Sequence, residues 1–150
     1  MGNAIRGNGI ERPGRELAEV AASMNLFAKE VPEMTYNGKC HCGKIAFDVE
    51  GDLTEIIECN CSICYESGYL HWMIDPSQLR IKTPLKDASL YLWGTGQARH
   101  YFCPKCGVAV LRNPRTSPDT KFSVNVRCLA GVDVSKLKVT QFDGRNKLKV

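Results

Sequence analysis

This sequence predicts a mainly β fold built from short strands, with one short helix in front of it. Apolar and polar residues alternate in short runs such as residues 44–49, which is the period of a half-buried strand. Turn-forming pairs such as Asp75-Pro76 separate these runs. Helical periodicity is confined to residues 15–30. Many short strands joined by Gly and Pro turns are typical of an all-β sandwich or a barrel-like sheet.

The helix is predicted over residues 15–30. Pro13 comes just before it, and Pro32 ends it. Its apolar residues form one stripe at helical spacing: Leu17, Val20, Ala21, Met24, Phe27 and Ala28. A short helix docked on the domain is the favoured interpretation, and a partner-binding helix is the alternative. We therefore predict an N-terminal extension over residues 1–33 and one β domain over residues 34–150.

Nine strands are predicted after residue 34. Their ranges are 44–49, 53–58, 69–74, 79–83, 89–93, 99–102, 108–112, 122–127 and 137–142. Turn signals at the breaks include Gly51-Asp52, Thr83-Pro84, Gly94-Thr95-Gly96, Asn113-Pro114 and Asp143-Gly144. Clusters of cysteine lie in several of the turns, where a metal ion stabilises a small β fold whose apolar core is thin.

The charge of the chain is a weak argument for a nucleic-acid partner. The formal net charge is +4, and residues 111–150 contain nine Lys and Arg against three Asp and Glu. If seven cysteines bind two Zn²⁺ as thiolates, the thiolates add seven negative charges and the ions four positive ones, so the net charge falls to +1. Solvated strand faces and a basic tail account for the local excess.

The N-terminus carries no recognisable targeting segment. Residues 1–10 lack the apolar run of a secretory signal, and no stretch is long enough to span a membrane. Arg6 stands where a myristoylation signal needs Ser or Thr. We expect a soluble cytoplasmic chain, and in such a reducing compartment clustered cysteines bind metal rather than form disulfides.

Seven of the eight cysteines fall into three clusters with metal-ligand spacing: Cys40 and Cys42, then Cys59, Cys61 and Cys64, then Cys103 and Cys106. A glycine directly follows the first and the last cluster, at Gly43 and Gly107. Glycine permits the positive φ that turns backbone N–H groups onto the sulfurs. We therefore pair these two clusters as one closed, structural zinc site with the four ligands Cys40, Cys42, Cys103 and Cys106.

The remaining triplet offers three thiolates, with Cys59 and Cys61 expected on one face of a strand and Cys64 in the following turn. Its fourth position is left to water, substrate, a histidine or Cys128. Such a zinc is a poor Lewis acid, but it holds an incoming thiol as a thiolate, which favours sulfur chemistry on a small electrophile over hydrolysis. From spacing alone, a second structural site and a single four-cysteine site with spare cysteines remain open alternatives.

The other candidate groups are less distinctive. His41, His71 and His100 are each a possible fourth ligand or proton carrier, although a structural role is favoured for each. Cys128 is interpreted as a small buried strand residue. Trp72 and Trp93 are expected in the core.

The combined motif resembles the glutathione-dependent formaldehyde-activating enzyme family, which also includes centromere protein V. The likeness spans residues 35–146 and rests on five segments: Gly38-x-Cys40-x-Cys42-Gly43, Cys59-Asn60-Cys61-Ser62-Ile63-Cys64, Phe102-Cys103-x-x-Cys106-Gly107, Asn125-Val126-Arg127-Cys128-Leu129 and Phe142-Asp143-Gly144-Arg145-Asn146.

This resemblance implies a zinc β-tent, in which small twisted antiparallel sheets are held together by zinc. It implies two zinc ions, a structural one on Cys40, Cys42, Cys103 and Cys106 and a catalytic one on Cys59, Cys61 and Cys64. The implied activity is a carbon–sulfur lyase that joins glutathione to formaldehyde as S-hydroxymethylglutathione. The partners would be a small thiol such as glutathione and a small aldehyde, and no membrane or nucleic-acid partner is expected.

Two positions depart from the family pattern. Tyr65-Glu66-Ser67 stands where relatives often carry basic residues, and Lys147 replaces an aromatic residue. Glu66 would repel the carboxylates of glutathione. Arg99, Lys105 and Arg127 are the candidate replacements from sequence.

These sequence features are compatible with three functions. A zinc thiolate enzyme is favoured by the open triplet. A non-catalytic zinc module would bind a protein or nucleic acid through the basic C-terminal segment or the N-terminal helix. Redox sensing by the triplet is the third and weakest.

Overall fold

The computed structural model of this protein describes residues 33–148. The predicted helix over residues 15–30 lies outside the described residues, so the division of the chain near residue 33 stays a prediction. Among the described residues, no helix has the length and apolar character needed to cross a membrane.

The described region is mainly β, as predicted. Its ten strands, β1 to β10, span Met34–Lys39, Ala46–Gly51, Glu55–Cys59, Leu70–Ile74, Leu79–Ile81, Ser89–Trp93, Ala98–Phe102, Ala109–Asn113, Phe122–Asn125 and Lys138–Phe142. The two helices within residues 33–148 are short: α1 is Ser62–Ser67 and α2 is Gly144–Lys147. Four single 3₁₀ turns lie at Pro76–Gln78, Leu85–Asp87, Val126–Cys128 and Val134–Lys136.

The strands form two sheets. The small sheet has the order β1-β2-β5, and the large one has the order β10-β3-β4-β9-β8-β7-β6. All pairs are antiparallel except β3 with β10, which run parallel. This one parallel pair departs from the antiparallel expectation. A parallel pair needs a long crossover connection, and here the connection contains six other strands.

The apolar core includes side chains from both sheets. Phe47 on β2 and Ile56 on β3 are fully buried and belong to the same apolar cluster. Tyr36 on β1 meets Trp72 on β4 edge to face, with 5.6 Å between ring centroids. Each large apolar side chain buried in this way contributes about 1.5–3 kcal/mol to stability.

Side chains along β4 point alternately to the two faces of the large sheet, a core face and a second, more polar face. Leu70, Trp72 and Ile74 are buried in the core, whereas His71 and Met73 point to the opposite side. A row of cross-strand partners continues that second face over the sheet: Met73 on β4, Ser123 on β9, Arg112 on β8 and His100 on β7. This row forms the floor of the candidate site.

Candidate metal centres and the cavity beside them

The first cysteine cluster joins the two sheets. Cys40 and Cys42 lie in the turn between β1 and β2, and Cys103 and Cys106 lie in the turn between β7 and β8. Their four sulfur atoms all lie within 4.8 Å of one another. The Cys40–Cys42 and Cys42–Cys103 sulfur distances are 3.7 and 3.6 Å. Sulfurs bound to one tetrahedral Zn²⁺ at about 2.3 Å lie about 3.8 Å apart, so this cluster fits a closed zinc site.

Glycine shapes both turns of this cluster, as the sequence predicted. Gly43 has φ 82° and Gly107 has φ 75°, a region that other residues rarely adopt. The Gly43 amide donates to the Cys40 carbonyl at 3.1 Å, and the Gly107 amide to the Cys103 carbonyl at 2.8 Å. These bonds close each turn so that its two sulfurs face the same point.

Backbone amides also point at the sulfurs. The Ile45 amide lies 3.3 Å from the Cys40 sulfur, and the Cys106 amide lies 3.5 Å from the Cys103 sulfur. Backbone hydrogen bonds from Cys42 and Val108 lower the pKa of Cys106 to about 6. Donors placed in this way favour the thiolate form that a metal requires. His41, between two of the cysteines, is exposed, as expected of a residue that points away from the turn.

The second cluster is buried separately from the main apolar core. Cys59 ends β3, Cys61 is the N-cap residue of α1, and Cys64 lies inside that helix. Their sulfurs lie within 4.8 Å of one another, and all three residues are buried. The expectation that Cys59 and Cys61 share one face of a strand was wrong, because the strand ends at Cys59. Cys64 likewise lies in a helix rather than in a turn.

The C-terminal segment is hydrogen-bonded to the residue between the first two cysteines of this cluster. The Asn60 side chain donates to Asp143 at 2.9 Å and accepts from the Arg145 amide at 2.9 Å. Gly144 then passes so close that a β-carbon there would lie 2.4 Å from the Cys59 sulfur. This contact explains why glycine stands at that position, even though its φ is ordinary.

His71 is the histidine that contacts this cluster. Its Nε2 lies 3.3 Å from the Cys64 sulfur, and its Nδ1 lies 2.7 Å from the Ser123 hydroxyl. When Cys64 is a metal-bound thiolate it can only accept, so Nε2–H then donates to Cys64 and Nδ1 accepts from Ser123. Burial, with the nearby charges of Arg112 and His100, lowers the pKa of His71 to about 3. A neutral, single-tautomer histidine therefore faces the sulfur.

Arg112 holds the same sulfur from the sheet. Its Nη1 donates to the Cys64 sulfur at 3.0 Å, and its Nη2 donates to the Ser67 hydroxyl at 2.9 Å. The guanidinium also stacks on the ring of Tyr69, 3.7 Å from the centroid. The residue is only 3% exposed, so its positive charge acts on Cys64 with little screening by water.

The chemistry of the donors suits a cation. Burial raises the pKa of Cys59 and of Cys64, although Arg112 acts in the opposite direction on Cys64. Three thiolates in one buried site require more positive charge than one guanidinium supplies, and a divalent metal supplies it. The residues therefore fit a metal with three thiolate ligands.

A cavity of about 250 Å³ opens beside the triplet. All three cysteines line it, together with His71, His100, Arg112, Arg115 and Ser123. Apolar residues make most of the remaining wall: Ile57, Ile63, Met73, Trp93, Ala98, Pro114, Phe142 and Leu148. A fourth position on a metal at the triplet would therefore open to a mostly apolar cavity.

A second, more polar depression lies on another side of the triplet. It shares Cys59 and Cys64 with the cavity and is also lined by Glu58, Tyr65 and Arg127.

The cations expected from sequence lie elsewhere than in the cavity. Arg127 lines the second depression and donates to the Gly68 carbonyl at 3.1 Å. Arg99 pairs with Asp119 at 3.0 Å, and Lys105 lies in the four-cysteine turn. Glu66 is exposed and does not line the cavity, so the expected repulsion at this position does not apply there.

The expectations for Cys128 and Trp93 are corrected. Cys128 lies in a 3₁₀ turn rather than a strand, and it is half-buried. Its sulfur lies 3.6 Å from the Ala109 carbonyl, and it belongs to neither cysteine cluster. Trp72 is a core residue, but Trp93 lines the cavity.

Sequence reasoning missed Arg112, Arg115 and Ser123. No local motif marks these residues, because cross-strand pairing, and not spacing along the chain, brings Arg112 and Ser123 beside the cysteines. The one available signal was a charged residue in an otherwise apolar strand, at Arg112.

Comparisons with known proteins agree with this geometry. Residues 35–142 match the model of the glutathione-dependent formaldehyde-activating enzyme family. The fold is similar to the crystal structure of a Rhodobacter sphaeroides protein, with a TM-score of 0.62 and 31% sequence identity. That match covers 71% of this chain and all of the other one.

Proposed function

This chain belongs to the glutathione-dependent formaldehyde-activating enzyme family, and from that premise we propose that it is a zinc-dependent carbon–sulfur lyase. It would add a small thiol, such as glutathione, to formaldehyde or a similar small electrophile. The observation that carries the proposal is that three buried cysteines, with no fourth cysteine beside them among residues 33–148, line the same cavity.

Two zinc ions per chain are part of the proposal. Cys40, Cys42, Cys103 and Cys106 would hold the structural ion, and Cys59, Cys61 and Cys64 the catalytic one. When bound at the triplet, zinc would lower the pKa of an incoming thiol and keep it as a nucleophilic thiolate.

The side chains of the site would support this reaction in defined ways. Arg112 donates to Cys64 and so balances negative charge on the triplet. His71, oriented by Ser123, donates to the same sulfur. The apolar walls limit the water that would otherwise solvate a thiolate and weaken its attack.

The bond changes balance without a redox partner. The thiol gives up its proton, and its sulfur forms a bond to the carbonyl carbon. The π bond of the carbonyl breaks, and its oxygen takes up one proton to become a hydroxyl group. The reverse sequence cleaves the carbon–sulfur bond, as the term lyase implies.

The test is the exchange rate between glutathione with formaldehyde and their hemithioacetal, measured by exchange NMR with the zinc-loaded protein. We expect the protein to accelerate exchange and Cys61→Ser to abolish the acceleration. The same variant should bind one zinc ion instead of two, because a site with two thiolates and one hydroxyl holds zinc weakly.

Cys128→Ser is the matched control, because it makes the same atomic change at a cysteine outside both clusters. It should keep both ions and the full exchange rate. Full turnover by the Cys61→Ser variant would exclude a catalytic role for the triplet.

A cytoplasmic location belongs to the same proposal. Seven clustered thiols stay available for metal in a reducing compartment and are prone to oxidation elsewhere.

A further inference from the structure

Buried polar atoms without a partner gather at one place. Three such side-chain atoms occur among the described residues: Nδ1 of His100, Nε of Arg112 and Nη1 of Arg115. All three residues line the cavity beside the cysteine triplet. His100 and Arg112 are also direct cross-strand partners, so two of the three atoms belong to neighbouring side chains.

Unpaired donors of this kind are costly. A buried donor without an acceptor is less stable than the same donor in water, and the loss is larger when the group is charged. A ligand that supplies acceptors to the two unpaired guanidinium donors would therefore stabilise the folded protein. No carboxylate is available inside the cavity to act as that acceptor, because no Asp or Glu is among the residues that line it.

The charge of the cavity favours an anion. Two guanidinium groups and a metal–thiolate group that would carry one net negative charge line the same cavity, so one positive charge remains unbalanced. Guanidinium donors match the paired oxygens of a carboxylate in spacing and direction.

The walls restrict what else the ligand carries. The Asn113 amide donates to the Lys121 carbonyl, and Ser123 is engaged by His71. Few polar groups therefore remain for the peptide bonds of a tripeptide thiol, and an ammonium group would find no carboxylate among the lining residues. The apolar wall instead suits a hydrocarbon chain.

We propose that this cavity binds a small organic acid, with its carboxylate on Arg115 and Arg112 and its short apolar chain against the wall next to the cysteine triplet. This narrows the proposed function to a substrate that is itself an apolar carboxylic acid bearing a thiol or a carbonyl group. The binding step itself does not depend on the proposed reaction.

The probe is butyrate, titrated into the zinc-loaded, ¹⁵N-labelled full chain in a buffer free of carboxylates. We expect the indole N–H resonance of Trp93, which lines the cavity, to shift with saturation. Butyramide, which has the same shape without the charge, should not saturate. Affinity should rise by about fourfold for each methylene added from acetate to hexanoate.

Arg115→Gln should raise the Kd for butyrate by about tenfold or more, because it removes one charged, directed donor pair. Arg115 is half-buried and lies outside the strands, so this variant is expected to fold. Arg127→Gln is the matched control: it makes the same change in the second depression and should leave the Kd within about twofold.

Three results would each overturn the inference: no saturation with butyrate up to about 100 mM, equal binding of butyramide, or equal losses in the two arginine variants. The outcome is separable from that of the proposed function. Butyrate binding without accelerated hemithioacetal exchange would retain the acid site and reject the reaction. Accelerated exchange without butyrate binding would retain the reaction and reject the acid site.

Discussion

At the scale of single residues, the pair His100 and Arg112 sets the electrostatics of the cavity. Both are buried, and they are opposite each other on β7 and β8. Arg112 remains charged and is held by a sulfur, a hydroxyl and an aromatic ring. His100 must then stay neutral, because a second buried cation directly across the strand pair from Arg112 would be strongly unfavourable.

A pH dependence of stability follows from His100. Burial, followed by the charge of Arg112, lowers the pKa of His100 to about 4. The unfolded chain takes up a proton near the ordinary histidine pKa of about 6.5, but the folded chain does not. Stability is therefore lost as the pH falls below 6.5. After allowance for screening, we expect the wild type to lose about 1 kcal/mol more than His100→Gln between about pH 7.5 and 5.5.

Urea unfolding of both zinc-loaded proteins across that range measures the difference. Contributions from the cysteines and from His71 are common to the two proteins and cancel. His41→Gln, at an exposed histidine, should track the wild type. A His100→Gln curve parallel to that of the wild type would show that His100 is not held neutral by the fold.

At the scale of elements, the segment after β10 completes the cysteine triplet. β10 pairs in parallel with β3, and this pairing places Phe142 opposite Cys59. The chain then turns so that Gly144 lies against the Cys59 sulfur. A strand and a four-residue helix far along the chain therefore determine the geometry of ligands near its middle.

Gly144→Ala tests this dependence. The added β-carbon would lie 2.4 Å from the Cys59 sulfur and 3.1 Å from the Cys61 β-carbon, so the sulfur or the segment must move. We expect zinc content to fall from two ions to one, and unfolding free energy to fall by about 1–3 kcal/mol from overpacking.

The matched control is Gly131→Ala. It also adds one methyl group, but into open space, at a glycine with φ 72°. It should cost about 1 kcal/mol of backbone strain and keep both ions. Two ions in Gly144→Ala would show that the segment adapts without disturbing the triplet.

The elements also show which parts of the structure can be predicted from sequence patterns. β6 was predicted with its observed ends, Ser89–Trp93, because turn signals bound it on both sides. β1 was missed because four of its six residues are exposed, so its sequence lacks the alternating apolar residues that mark a half-buried strand. α1 was missed because six residues give less than two turns of periodicity. The pairing of the outer cysteine clusters was predictable from the glycines, whereas Arg112 and Ser123 became visible only once the sheet order was known.

At the scale of the whole molecule, the four-cysteine cluster connects the small sheet to the large one. It joins the β1–β2 turn to the β7–β8 turn, and Cys42 and Cys103 are 61 positions apart in the sequence. The triplet spans only residues 59–64. A link between distant segments removes more freedom from the unfolded chain than a local link does.

Cys42→Ser and Cys61→Ser should therefore differ in stability, although each should lose one zinc ion. We expect Cys42→Ser to lower the free energy of unfolding by about 3 kcal/mol or more and the melting temperature by about 10 °C. Cys61→Ser should lower it by less than half as much. Thermal unfolding with zinc analysis of both variants decides this, and equal losses would contradict the assignment of a structural role to the first cluster.

The basic excess of residues 111–150 is largely engaged within the fold. Arg112 and Arg115 line the cavity, Lys121 pairs with Asp75, and Lys138 pairs with Glu55. The paired Lys121 and Lys138 side chains are themselves solvent-exposed, so the solvated-face interpretation from sequence stays a prediction.

The contact between the segment after β10 and the cysteine triplet affects the order in which the two cysteine clusters are completed during synthesis. Asn60 and Arg145, which are hydrogen-bonded to each other, are separated by 85 residues. At a synthesis rate of about 5–20 residues per second, the ribosome needs several seconds to cover that stretch. The four-cysteine cluster is complete once Cys106 has been made, whereas the triplet lacks its neighbours until the segment after β10 emerges. On a nascent chain the four-cysteine cluster therefore has all of its ligands before the triplet has its C-terminal neighbours.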